Sequence, residues 1–110
     1  MFFKKEINPY SVSDKAVFRN VDKTITVYVR SSAPVLMSNL KQVPEKLEKV
    51  SDKSSQEEKT EAARFFARAI FGEDGDKLVE FYNDPGAVIS AVGMYFDQQL
   101  KYKITKAQKK

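Results

Sequence analysis

Glu73, Asp74 and Asp76 place three carboxylates close together, the grouping in this chain best suited to a bound cation. An EF-hand loop needs Gly at its sixth position and a bidentate Glu at its twelfth. Counted from Asp74, those positions hold Val79 and Pro85; counted from Glu73, they hold Leu78 and Asp84. Neither register fits, and the acids read instead as a solvated turn that favours the N-terminus of the next helix. Gly72-Glu73-Asp74-Gly75 is not a phosphate loop either, since no Lys-Ser/Thr follows and its acids repel phosphate. The chain contains no Cys and no His. Disulfides, thiolate and imidazole metal ligands and cysteine nucleophiles are thereby excluded, and no Ser has a His to activate it. Acid–base work near neutral pH would fall to a strongly perturbed Asp, Glu or Lys. The residue types point to binding rather than catalysis: not an enzyme, with no metal and no cofactor expected.

The second group with chemical potential is basic. Between Asp97 and Lys110 lie five Lys and one Asp, whereas Glu57 to Asp84 carries eight acids and four bases. The net charge of +4 is therefore unevenly spread, and the two regions suit partners of opposite charge. Residues 101–110 read as a flexible lysine-rich tail with two uses. Lys101, Lys103 and Lys106 would contact phosphates while Tyr102 stacks on a base. Alternatively the tail only solubilises the aromatic-rich helix before it. The second reading is preferred, because Arg, the best reader of base edges, is scarce there.

The elements that must position these groups follow from periodicity. Residues 1–14 lack it and read as an irregular arm. Ala16 to Arg19 fits a short strand, Asn20 to Lys23 a turn, and Thr24 to Arg30 the clearest strand, with Ile25, Val27 and Val29 alternating against polar neighbours. Ser32 and Pro34 signal a helix start, and Leu36, Leu40, Val43, Leu47 and Val50 form one apolar stripe that Pro44 must kink or break. Residues 51–56 are linker-like. Ser55 and Glu58 have capping-box spacing, opening a helix that Gly72 closes. Asp76 to Tyr82 makes one or two turns. Asp84 and Pro85 then start a last helix whose apolar stripe is Val88/Ile89, Val92, Phe96 and Leu100, with Gly93 inside it.

The fold class expected is α+β, mainly α: an N-terminal hairpin or short strands, then a small bundle of three to four helices. Residues 15–100 form the single domain. Phe65, Phe66, Ile70 and Phe71 crowd more than one face of their helix, so one aromatic is a candidate anchor for a partner. Phe65, Phe66 and Phe71, with Met94 and Tyr95 as the expected exposed groups of the last helix, make up the candidate protein-binding surface.

Ala63-Arg64-Phe65-Phe66-Ala67-Arg68-Ala69-Ile70-Phe71-Gly72-Glu73-Asp74-Gly75, with Leu78 and the closing helix through Leu100, resembles the tail assembly chaperones of long-tailed bacteriophages and prophages. The resemblance implies a non-enzymatic protein that binds the helical tape-measure protein and recruits tail-tube subunits, the major tail protein, during assembly. It also implies a longer product made by ribosomal frameshifting. The alternatives are a structural tail or connector component, whose 24–30 strand would pair with a neighbouring subunit, and a nucleic-acid-binding accessory protein. The Met1 to Lys5 opening lacks signal-peptide features and no window reaches the length of a membrane helix, so a cytoplasmic protein with no membrane partner is expected.

Overall fold

Alternation of apolar and polar side chains extends further towards the N-terminus than the short Ala16 to Arg19 segment implied. A computed structural model describes residues 10–108. Strand β1, Ser11–Asn20, pairs antiparallel with β2, Lys23–Ser32, in a register running from Ser11↔Ser32 to Asn20↔Lys23. Cross-strand partners share a face. Val12, Asp14, Ala16 and Phe18 therefore lie on the inner face with Ile25, Val27 and Val29. The expected irregular arm is corrected at Ser11 to Asp14, which belong to β1. Asp14 hides the apolar alternation in the sequence, but its charge is met inside the fold. The rest of that arm, residues 1–9, lies outside the described residues. Val21, in the two-residue turn, has φ 59°, a left-handed conformation that costs an L-residue about 1–2 kcal/mol.

Helix α1, Ala33–Lys41, starts as its residues dictate: the Ser32 hydroxyl accepts from Val35 N–H at 3.3 Å and Pro34 occupies the first turn. The chain breaks at Gln42 and restarts as α2, Val43–Glu48, with Pro44 in its first turn. After the non-helical residues 50–55, α3 runs Gln56–Phe71. Its capping box is complete, with Glu58 N–H donating to Ser55 Oγ at 3.1 Å and Ser55 N–H to Glu58 Oε1 at 3.0 Å. Gly72, at φ 61°, ends it in a conformation that glycine adopts without strain. Helix α4 spans Asp74–Tyr82, and Asp84 caps α5, Pro85–Tyr95. A π-helical turn, Phe96–Leu100, joins α5 to α6, Lys101–Gln108, without interruption. The result is a hairpin followed by four helical bodies: the bent α1–α2 pair, α3, α4, and the long α5–α6 helix.

These bodies meet in one core. The inner hairpin face contributes Val12, Ala16, Phe18, Val27 and Val29, and the helices contribute Leu36, Ile70, Leu78, Val88, Val92 and Leu100. After Pro85, buried positions on the long helix are Val88, Val92, Tyr95, Leu100, Ile104 and Ala107. Tyr95 to Leu100 is a step of five. A regular α-helix would turn the second residue about 140° away from the first. The π turn, in which Lys101 N–H donates to Phe96 C=O, absorbs the extra residue and returns the apolar stripe to the core. The expected flexible tail is corrected by the same geometry. Residues 101–108 form α6, which buries Ile104 and Ala107 against the rest of the fold and packs on α1 and β1. Residues 109–110 lie outside the described residues.

Candidate functional site: an apolar groove between α1 and α6

The aromatic set does not form one surface. Phe66, Phe71 and Tyr95 are buried, and Tyr95 is only 6% exposed, which corrects its expected position as an open group. Phe18, Phe71 and Tyr95 form a ring cluster with centroids 5.5 to 5.9 Å apart. Tyr95 follows Val88 and Val92 at steps of four and three, so regular α5 geometry carries it into the core, while Phe96, expected in the buried stripe, is only partly buried. Phe65 is half-buried, with the Lys46 ammonium 5.3 Å from its ring centroid. Met94 is the member of the set that stands open, at 57% exposure.

Tyr95 can be buried because its hydroxyl has a partner. It donates to one oxygen of Asp14, and the Lys103 ammonium donates to the other. This latch ties β1 to both halves of the long helix. Burial alone would raise the Asp14 pKa. The hydrogen bonds from Lys103 and Tyr95, and the lysine's charge, outweigh burial and hold the carboxyl below its ordinary value. Burial first, and then Asp14, push the Tyr95 phenol far up. Because Asp14 is depressed in the folded state, its stabilisation is present above the ordinary carboxylate range and is lost as pH falls through the folded value. Asp14→Asn is therefore expected to cost about 2 kcal/mol at pH 7, read from urea midpoints. The deficit relative to the parent should shrink as pH falls below the ordinary carboxylate range, where the unfolded chain's Asp14 takes up its proton before the folded one does.

The remaining sequence candidates separate in the same way. Lys103 is committed to Asp14, so the four proposed nucleic-acid contacts do not act together; Lys101, Tyr102 and Lys106 are exposed on α6. Two of the three clustered acids, Asp74 and Asp76, are likewise occupied. Asp76 receives Arg68 through Nε–H at 2.8 Å and Nη2–H at 2.6 Å, which lowers its pKa and clasps α4 to α3. Asp74 Oδ2 accepts Tyr28 N–H at 3.2 Å, while Lys77 lies 3.3 Å from Oδ1. Among the described residues no group of three His, Cys, Asp or Glu is placed to hold a metal, and no helix is long and apolar enough to cross a membrane.

What the fold leaves open is a groove of about 330 Å³ between α1 and the α5–α6 helix. Met37 and Leu40 of α1 form one wall, and Phe96 and Ile104 the other. Lys41 and Lys101 stand beside them, with Thr105 and Gln108 completing the lining. Leu40 belonged to the expected α1 stripe. Met37 lay one residue off that stripe, and Phe96, expected in the core, lines the groove from the junction of α5 with the π turn. A methionine in such a wall can adapt to irregular partner surfaces.

Comparison with protein families, with curated proteins and with solved structures finds no match for this chain. The functional reading therefore rests on the geometry and on the sequence resemblance given above.

Proposed function

We propose that the protein is a non-enzymatic, tail-assembly-chaperone-like binding protein that acts in a bacterial host's cytoplasm and holds a helical segment of a client in the α1–α6 groove. The observation that carries this reading is the apolar groove flanked by Lys41 and Lys101. Its occupant is an amphipathic helix that lays an apolar ridge on Met37, Leu40, Phe96 and Ile104 and turns carboxylates towards the two lysines. Burial of that ridge supplies affinity, and the flanking charges supply orientation and encounter rate. By the sequence resemblance, the client is a tape-measure protein, with tail-tube subunits as the second partner. Met94, open on α5, is a further contact in this reading.

The structural-component alternative has less support. It called for the 24–30 strand to pair with a neighbour instead of closing its own hairpin, and β2 is paired with β1 along its whole length.

Co-expression with a tape-measure protein and affinity copurification tests the proposal. The triple variant Met37→Ser, Lys41→Glu, Lys101→Glu changes exposed groove positions and should keep the parent's circular dichroism. It is expected to weaken the complex at least tenfold, because it removes apolar contact and reverses both flanking charges. A complex retained at parental affinity would remove the groove from the mechanism.

A further inference from the structure

The outer face of the hairpin combines cations, hydroxyls and an open aromatic ring. Its residues are Ser11, Ser13, Lys15, Val17 and Arg19 of β1 and Thr24, Thr26, Tyr28, Arg30 and Ser32 of β2. It carries three cations and no acid, because Asp14 is turned inward and Asp22 sits in the turn. Among the described residues none of Lys15, Arg19 and Arg30 has a carboxylate within ion-pairing distance. Lys15 stands directly opposite Tyr28. The Arg30 guanidinium lies 4.6 Å from the Tyr28 ring centroid, and the ring remains 39% exposed. Glu73 and Asp74 border this face at a cleft shared with Tyr28 and Arg30, where Asp74 is already engaged by Tyr28 N–H and Lys77.

We propose that this face binds single-stranded nucleic acid, with Lys15, Arg19 and Arg30 on phosphates and Tyr28 stacking on a base. Unpaired cations on an exposed ribbon release counterions from a phosphate chain. An aromatic ring backed by a guanidinium supplies the sequence-tolerant platform that unpaired bases use. Thr24 and Thr26 add hydroxyl donors without opposing charge. An acidic protein surface would satisfy the cations but would make no use of the open Tyr28 ring, so the nucleic acid is the better fit.

The test is fluorescence anisotropy of a labelled oligodeoxythymidylate with the full chain, titrated between about 50 and about 200 mM salt. The parent is expected to bind with a steep salt dependence. The triple variant Lys15→Ser, Arg19→Ser, Arg30→Ser should abolish most of the binding and flatten the logarithmic salt slope by about 2. Tyr28→Ala should weaken binding about tenfold while Tyr28→Phe retains it. Lys101→Gln with Lys106→Gln should leave it unchanged. All these side chains are exposed, so circular dichroism should match the parent throughout. Absence of binding at low salt, loss in the Lys101/Lys106 variant instead of the hairpin triple, or an unaffected Tyr28→Ala would overturn the proposal. Displacement by polyglutamate as effective as by unlabelled oligonucleotide would overturn it in favour of an acidic protein partner.

Discussion

Gly75→Ala is expected to destabilise the protein by about 3 kcal/mol or more, although on helix propensity alone the change should stabilise it. A Cβ at position 75 would lie 2.6 Å from Arg68 N, 2.7 Å from Ala67 C and 2.9 Å from Ala67 O. These are backbone atoms of α3, so relief requires moving one helix off the other. Such a shift also loosens the Arg68–Asp76 clasp beside the crossing. Gly93→Ala provides the internal comparison. It too sits in a helix, but its nearest neighbour is Phe66 Cε2 at 4.0 Å. No backbone comes close there, so that substitution should gain about 0.5–1 kcal/mol. Urea denaturation of the two variants checks both signs. Equal effects would mean that α3 and α4 do not cross at Gly75.

The contrast between these glycines marks what could be read from the sequence. Features set by adjacent residues were legible: the Ser32, Ser55 and Asp84 caps, the break at Pro44, the stop at Gly72 and the β2 alternation. Each rests on local backbone chemistry. Features set by a distant partner were not. Gly75 looked like a turn residue because its reason for being glycine lies seven and eight residues earlier on α3. Asp14 hid the start of β1 because a charge on an apolar face makes sense only beside Lys103 and Tyr95. The groove was the least legible of all. It depends on a π turn that no simple period reveals and that brings Leu100 and Ile104 back to the core side after Tyr95. The mainly helical α+β class was therefore recoverable from the chain, whereas the candidate site was recoverable only in part, through Leu40.

Ile104→Asp is expected to cost about 4 kcal/mol, a large share of the stability of a domain this size. Ile104 is 6% exposed and helps to dock α6 against α1 and β1. A carboxylate there would be buried without a designated partner, and the helix would have to leave its seat to hydrate it. Release of α6 would also part Lys103 from Asp14 and open the wall of the groove that Ile104 shares with Phe96. Loss of client binding in this variant would follow from either the fold or the groove, so its proper readout is the denaturation midpoint. Tyr102→Ser, at a residue 68% exposed on the same helix, should shift that midpoint by no more than about 0.5 kcal/mol. If Ile104→Asp were equally mild, residues 101–108 would not be packed as α6. The same reasoning rules out deletion of residues 101–110 as a test of nucleic-acid binding by the lysines. That deletion removes core side chains along with charge, whereas exchanging Lys101 and Lys106 alone changes the charge and leaves Ile104, Ala107 and the Asp14 latch in place.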